Sequence, residues 1–147
     1  MKNQTKAIAV MLAASFTFSA AAITPLSGPI VNPANSHTYY LLSSDSWTAS
    51  ETFAQTLGGH LATINDAAEN AWVYNTFFAL TPSATPSLWI GLTDRVTEGN
   101  FLWANGEPVG YLNWYFGEPN NTPNADPTGE DYAAIRGPQN DNPGTWN

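Results

Sequence analysis

Leu88-Trp89-Ile90-Gly91-Leu92 is the stretch that decides the fold of this chain. It is a continuous apolar run of strand length, the pattern of a strand that is buried on both faces. Further runs with aromatic and β-branched residues stand at Thr38–Leu42, at 101–103 and at 131–135. We therefore expect a sheet with residues 88–92 at its centre.

Two helices are predicted between the first strand and residues 88–92. Thr48 and Glu51 have the spacing of a capping box, in which each side chain satisfies a free N–H at the start of a helix. Gly58-Gly59 follows, and glycine is the residue that most easily ends a helix. A first helix is therefore expected between Thr48 and Gly58, followed by a short strand at 60–64.

The second predicted helix opens at Asn65-Asp66, where acidic side chains favour the positive end of the helix dipole. Its buried face is expected to carry Ala68, Trp72, Val73 and Phe77, which recur at helical spacing. The order strand, helix, helix and then several strands indicates an α+β fold, with two helices packed on a mostly antiparallel sheet.

The first 22 residues have the pattern of a secretory signal peptide. Lys2 and Lys6 form a basic start, residues 7–18 are apolar, and Ala20-Ala21-Ala22 offers a cleavage site of small residues. The apolar run is shorter than the roughly 20 residues that span a bilayer, so an uncleaved anchor is the weaker interpretation. We expect a secreted or cell-surface protein with a signal peptide at 1–22, an extended leader at 23–36 and one domain at 37–147.

Charge and composition exclude several classes of partner. The 147 residues carry a formal charge of −8, and beyond residue 22 the only basic side chains besides histidine are Arg95 and Arg136. Because phosphate binding needs clustered Lys and Arg, no nucleic-acid partner is expected. The chain has no cysteine, so packing or a metal must stabilise a domain whose predicted export route would allow disulfides.

A long stretch dense in Gly, Pro and Asn, residues 104–130, separates the last two predicted strands. Oxygen ligands gather in and after it, in Glu118-Pro119-Asn120-Asn121, Gly129-Glu130-Asp131 and Trp146-Asn147. Carboxylate and amide oxygens without Cys or His suit a hard cation such as calcium, and the same atoms can hydrogen-bond the hydroxyls of a sugar. A solvated surface loop is the alternative interpretation.

Four separated motifs in the same order resemble the C-type lectin domain from about Thr38 to the end of the chain. They are 46–51 with 58–70, the run 88–94, the run 114–121, and Gly129-Glu130-Asp131 with Trp146-Asn147. The resemblance implies a C-type lectin-like fold with a long loop that binds calcium and sugar. It also implies a carbohydrate partner, either cell-surface or polysaccharide glycans.

By this resemblance, a primary calcium ion has the ligands Glu118, Asn120, Glu130 and Asn147, which also bind the sugar. Glu118-Pro119-Asn120 resembles the form of the triplet that the family associates with mannose-type sugars. A Pro between two ligands can hold a cis peptide, which costs only about 0.5–1 kcal/mol at X–Pro bonds and would turn both flanking side chains toward one ion.

The segment from Asp94 to Gly99 resembles the region that binds an auxiliary calcium ion in some relatives. The implied ligands are Asp94, Glu98, Glu130 and Asp131, with Asn121 where the family often has Asp. A neutral ligand there lowers the charge of the site and with it the affinity for calcium. A simple polar turn at Asp94 and Glu98, without an ion, is an equally supported interpretation.

Three departures from the family pattern modify these expectations. The family continues with an Asp ligand after the Asn that Asn147 matches, then with a last strand, so we expect domain 37–147 to be incomplete, with no membrane anchor evident in it. Ala54 and Tyr132 fall near positions where the family commonly has Cys, and apolar packing is expected to replace the missing disulfide. The segment 121–129 is longer than the resemblance implies.

A binding function is favoured over catalysis. His37 and His60 are the only histidines, and no Ser-His-Asp arrangement is indicated. Glu118 and Glu130 form an acidic pair, but they lack the apolar setting that makes a carboxylic acid a catalyst in glycosidases. The predicted function is calcium-dependent, mannose-type carbohydrate binding, and the alternative is a calcium-independent adhesion module that binds protein or another surface.

Overall fold

The described residues of the computed structural model are 5–11, 22–123 and 129–147, and they form seven strands and two helices. The strands are β1 (Thr5–Met11), β2 (Pro25–Val31), β3 (Thr38–Leu42), β4 (Gly59–Leu61), β5 (Ser87–Thr93), β6 (Leu102–Trp103) and β7 (Tyr132–Arg136). The helices are α1 (Trp47–Thr56) and α2 (Ala67–Phe78).

The sheet has the order β2-β3-β1-β5-β6, with β4 attached to β1 and β7 attached to β5. Among these described strands, β1 pairs in parallel with β3 and β4, and every other pairing is antiparallel. The predicted α+β class with a mostly antiparallel sheet is therefore confirmed. Strand β5 pairs with β1, β6 and β7, which places it at the centre as predicted.

Two apolar clusters lie on opposite sides of β5. Leu88, Ile90 and Leu92 are fully buried and belong to the larger cluster, to which α2 contributes Val73 and Phe77. Trp89 packs instead against the smaller cluster around α1. This alternation follows from the pleat of a strand, in which successive side chains point to opposite faces.

Gly91 has no side chain for a steric reason. A Cβ atom at this position would lie 2.7 Å from the carbonyl oxygen of Leu61, and the Gly91 N–H donates to the carbonyl oxygen of Ala62 over 2.9 Å. The glycine therefore lets β5 approach the backbone that follows α1, which brings the helical half of the chain against the sheet.

The predicted capping box of α1 at Thr48 and Glu51 is wrong, because the helix begins two residues earlier. Ser46 is the N-cap, and its hydroxyl accepts from the N–H of Ala49 over 3.2 Å. The carboxylate of Glu51 is buried and turns inward, where it accepts from the N–H of Leu61 over 2.8 Å and contacts Nδ1 of His60 at 2.6 Å. A buried carboxylate needs hydrogen bonds, and β4 supplies them better than the helix start. The predicted end of the helix near Gly58 is confirmed.

Helix α2 begins at the predicted cap, Asp66, whose carboxylate accepts from the N–H of Glu69 over 2.7 Å. Its buried face differs in part from the prediction: Val73 and Phe77 are buried, but Ala68 is exposed. Glu69 and Asn70 are buried instead, because each finds hydrogen-bond partners inside the fold.

Strand β1 lies inside the predicted signal peptide, and its pairing with β3, β4 and β5 was not expected. Local sequence patterns do not specify such distant partners. Residues 1–4 and 12–21 of that segment lie outside the described residues, and its cleavage stays a prediction. In the predicted leader, residues 25–31 form β2. No helix in the part of the chain that the structure describes is long and apolar enough to cross a membrane.

Ala54 and Tyr132, the two positions where cysteine was expected by resemblance, both belong to the smaller apolar cluster. The ring of Tyr132 stacks on Trp47 with centroids 4.7 Å apart, and Ala54 is fully buried nearby. Stacked aromatic rings add about 0.5–1.5 kcal/mol to their area burial. The expected replacement of a disulfide by apolar packing is consistent with this arrangement.

Candidate functional site

The candidate site is built around Trp146, which is fully buried. Its N–H donates to the carbonyl oxygen of Asn113 over 2.8 Å, and its own carbonyl oxygen accepts from the N–H of Tyr115 over 2.9 Å. These two bonds tie the end of the chain to the long loop. Trp114 and Trp146 are thereby paired in a parallel bridge, and Asn147 follows directly after it.

Aromatic rings enclose the indole of Trp146. Trp103, Tyr111 and Trp114 meet it edge-to-face, with ring centroids 5.6–5.9 Å apart. The indole Nε1 donates to Oδ1 of Asn70 in α2 over 2.8 Å, so its single polar atom is satisfied inside the core. A tryptophan fixed in this way is a rigid support for the residue that follows it.

Glu118 and Asn120 lie in one turn and contact each other directly. Oε1 of Glu118 accepts from Nδ2 of Asn120 over 2.7 Å, and Oε2 accepts from the Asn120 N–H over 3.0 Å. Oδ1 of Asn120 accepts from the N–H of Thr122 over 2.9 Å and also from its hydroxyl. The peptide bond between Glu118 and Pro119 is cis, the form considered for this bond from the sequence.

Asn121 joins the two halves of the site. Its Oδ1 accepts from the N–H of Glu130 over 2.8 Å, across a segment whose residues 124–128 lie outside the described residues. Gly129 makes this contact possible, because a Cβ there would lie 1.6 Å from Oδ1 of Asn121 and the backbone has φ +111°. Only glycine adopts that conformation at no steric cost.

Asn147 extends the backbone pairing of β7 and leaves its side chain exposed. Its N–H donates to the carbonyl oxygen of Ala134 over 3.0 Å, and its carbonyl oxygen accepts from the Ala134 N–H over 2.8 Å. Asn147 borders one small opening of about 10 Å³, with Phe101 and Trp114 in its lining. We call it the Glu118 cleft, and the predicted primary residues all line it: Glu118, Asn120, Glu130 and Asn147.

The predicted auxiliary residues are less closely gathered. Asp94 is buried, and its Oδ2 accepts from the N–H of Gly99 over 2.9 Å, while its buried Oδ1 has no hydrogen-bond partner. The Asp94 N–H donates to the backbone carbonyl oxygen of Asp131 over 3.2 Å, whereas Glu98 is exposed. Within residues 5–11, 22–123 and 129–147, no three His, Asp or Glu side chains converge closely enough to hold a metal ion.

A larger opening borders the Glu118 cleft and shares Glu130 and Asn147 with it. It runs along the face of β5 and β7 past Trp89, Ala134 and Arg136. Its walls are mainly apolar, and Glu118 and Asn120 do not line it. The smaller cleft is therefore the one that brings the predicted oxygen ligands together.

The residues that support this cleft from behind were not predicted from the sequence. Asn70 and Asn113 both donate from Nδ2 to the carbonyl oxygen of Gly144, each over 2.9 Å. Asn70 lies 74 residues before Gly144. No local pattern reports such a contact, although a polar side chain beside the predicted apolar face of a helix is a weak signal of one.

The family profile described as Lectin C-type domain matches residues 43–147, which is most of the chain. A perlucin-like protein of Mytilus galloprovincialis is 36% identical over 107 residues, which make up 69% of this chain and 66% of the relative. An alpha-N-acetylgalactosamine-specific lectin of Patiria pectinifera is 40% identical over 68 residues, which make up 46% of this chain and 40% of the relative. The chain thus spans less than two thirds of the length of these relatives.

Solved structures share the fold as well. One of them is the cow C-type carbohydrate-recognition domain of CD23 in the presence of a GlcNAc2Man3 oligosaccharide. It superposes with a TM-score of 0.56 at 29% identity and covers 70% of this chain and 68% of its own. The resemblance predicted from the sequence is confirmed at the level of fold by this comparison.

Proposed function

This chain belongs to the C-type lectin domain family, and from that premise we propose that it binds carbohydrate through a calcium ion in the Glu118 cleft. The ion's ligands in this proposal are Glu118, Asn120, Glu130 and Asn147. One observation carries the proposal: these four residues, separated by up to 29 positions in sequence, line a single small opening.

The donor set fits a hard cation. It consists of carboxylate and amide oxygens, which are the ligands that calcium prefers. When bound, calcium offers open coordination positions to the hydroxyl oxygens of a sugar. In the described structure, the Glu118 carboxylate accepts from the amide of Asn120, so an ion would compete with hydrogen bonds inside one short turn.

The residues themselves determine which hydroxyls are accepted. A carboxylate such as that of Glu118 only accepts hydrogen bonds, whereas Nδ2 of Asn120 donates them. The pattern of donors and acceptors around the cleft therefore depends on the identities at 118 and 120. We propose mannose-type selectivity from the Glu118-Pro119-Asn120 triplet. The names of the relatives do not decide the sugar of this chain, because one of them refers to a different sugar.

Family and fold support a binding role and no catalytic one. Three of the similar proteins are lectins by name, one of them specific for alpha-N-acetylgalactosamine, and the CD23 domain was solved in the presence of an oligosaccharide. We propose glycans as the partner of this chain and the cell surface or the exterior as its location, with the predicted signal 1–22 as its means of export. Mass spectrometry of the protein released from expressing cells tests the cleavage.

Calcium binding is tested by unfolding the protein with and without the ion. Extracellular calcium modules have Kd values on the order of 10⁻⁴–10⁻³ M. At 100 times Kd, the ion stabilises the folded state by about 2.7 kcal/mol, so calorimetry should show a higher Tm in 10 mM calcium than in chelator. An unchanged Tm, combined with unchanged ligand binding, favours the calcium-independent adhesion module instead.

Sugar selectivity is tested by exchanging donors and acceptors within the turn. The double variant Glu118→Gln, Asn120→Asp keeps the shape of both side chains and alters which atoms donate. On a glycan array, we expect its preference to move from mannose-type towards galactose-type sugars. Asp141→Asn is the control, because Asp141 is exposed, does not line the cleft and is not among the candidate calcium ligands.

A further inference from the structure

Phe116 is almost completely exposed. Its relative exposure is 94%, the highest among the described large hydrophobic residues. Every other Phe, Tyr or Trp of residues 22–123 and 129–147 is buried or half-buried. Burying a Phe side chain stabilises a fold, and folding of this chain leaves that stabilisation unused at Phe116.

A fixed turn holds Phe116 in this exposed position. The carbonyl oxygen of Tyr115 accepts from the N–H of Glu118 over 2.9 Å, and Gly117 has φ +94°, which closes a four-residue turn. The turn is anchored below by the hydrogen bond from the Tyr115 N–H to the buried Trp146. Exposure of the ring is therefore a consequence of an ordered turn.

The same turn carries the first residue of the Glu118 cleft. Phe116 precedes Glu118 by two positions, and two residues of chain span at most about 7 Å. The Cα atom of Phe116 therefore lies close to the cleft, and its ring is outside the lining. A ligand that extends from a sugar held in the cleft towards this turn would come within reach of the ring.

The neighbouring aromatic residue is already covered. The guanidinium carbon of Arg136 lies 4.1 Å from the centroid of the Tyr115 ring, a cation–π contact. Tyr115 is also half-buried. Of the two aromatic residues at this edge, Phe116 is the one that can offer a whole ring face to a ligand.

We propose that the ring of Phe116 packs against the C–H face of the saccharide unit attached to the one held in the Glu118 cleft. This inference rests on the proposed function. It identifies Phe116 as the residue that makes the protein prefer extended glycans over single sugars. A pyranose presents an apolar C–H face comparable to an aromatic ring, and burying it removes apolar surface of both from water. A lone ring between the covered Tyr115 and the charged Glu118 suits one sugar unit better than a long acyl chain, which needs a groove.

The test compares three probes in 10 mM calcium: methyl mannoside, a mannose disaccharide and octyl mannoside. The parent protein, Phe116→Ala and the control Leu80→Ala are titrated calorimetrically. Leu80 is 48% exposed beyond the end of α2, so its replacement removes exposed apolar surface away from the cleft. We expect the parent to bind the disaccharide about 3- to 10-fold more tightly than methyl mannoside, and Phe116→Ala to lose this ratio with unchanged methyl mannoside affinity.

Three results would overturn the inference. They are an undiminished ratio in Phe116→Ala, an equal loss for both saccharides, and a loss confined to octyl mannoside, which would assign the ring to an apolar aglycone. A parent that binds no probe in calcium refutes the proposed function itself, and the inference about Phe116 falls with it. That outcome is distinguishable, since it is seen before any variant is made.

Discussion

Nε1 of Trp146 donates a hydrogen bond of 2.8 Å to Oδ1 of Asn70, which lies 76 residues earlier in α2. The bond links the helix layer to the residue that immediately precedes Asn147. Asn70 also donates to the carbonyl oxygen of Gly144, so one buried amide fixes two points of the closing segment. The Glu118 cleft thus depends on a residue that does not line it.

Asn70→Ala should destabilise the protein by about 1–3 kcal/mol, because it leaves the buried indole N–H of Trp146 without a partner. The free energy of unfolding, measured with urea, checks this. Asn75→Ala is the matched control, since Asn75 is exposed on the same helix. Equal effects of the two substitutions would contradict the supporting role of Asn70.

Gly129→Ala should disrupt the cleft at its other side. The new Cβ would lie 1.6 Å from Oδ1 of Asn121, and φ +111° is strained for alanine, so the bond from Glu130 to Asn121 should break. Loss of a residue that orients a metal ligand typically costs 10- to 100-fold in affinity, and we expect a calcium Kd raised by at least about 10-fold. Gly110→Ala, where a Cβ meets open space, should leave calcium affinity unchanged. A normal calcium titration of Gly129→Ala would be the contrary result.

The fold was largely predictable because its signals are local or are carried by ordered motifs. The apolar run at residues 88–92 correctly indicated the central strand, and Asp66 and Gly58 correctly marked helix boundaries. The capping of α1 was wrong because Glu51 serves β4, a partner ten residues away that a spacing rule does not include.

The candidate site was predictable in part for the same reason. Residues 118 and 120 stand in one turn, and the resemblance placed Glu130 and Asn147 beside them. Asn70, the bridging contact of Asn121 and the pairing of β1 depend on tertiary contacts, which no periodicity or motif of this sequence encodes. The roles of Asp94, Glu98 and Asp131 stay predictions.

Asp94→Asn tests the auxiliary calcium site. Oδ1 of Asp94 is buried without a partner, which is costly for a charged group. In chelator, the neutral variant should therefore be as stable as the parent or more stable. If an ion binds that oxygen, calcium should raise the Tm of the variant by less than it raises the Tm of the parent. Asp45→Asn, at the start of α1, is the control, and an equal calcium-dependent gain in Asp94→Asn would argue against an auxiliary ion.

Tyr39 should make stability fall at alkaline pH. Its phenol is fully buried and donates to Glu69, and burial, reinforced by that carboxylate, raises the pKa of Tyr39 well above its usual range. The folded state thus keeps a proton that the unfolded state releases above pH about 10, so stability is lost as the pH rises past that value. Urea unfolding between pH 8 and 11 measures this slope.

Tyr39→Phe should lower stability by about 1.5–3 kcal/mol at neutral pH, because Glu69 loses a hydrogen bond inside the core. It should also flatten the decline above pH 10, since phenylalanine has no proton to lose. The same steep alkaline decline in parent and variant would show that another group causes it.

The most direct measurement is a calorimetric titration of the protein with a mannose-type saccharide, once in 10 mM calcium and once in excess chelator. If the oxygen ligands of the Glu118 cleft meet around one ion, saccharide binding should give a saturable heat in calcium and no binding heat in chelator. Binding should return when calcium is restored. Saccharide binding of equal strength in chelator, or no binding in either solution, would contradict calcium-dependent recognition by Glu118, Asn120, Glu130 and Asn147.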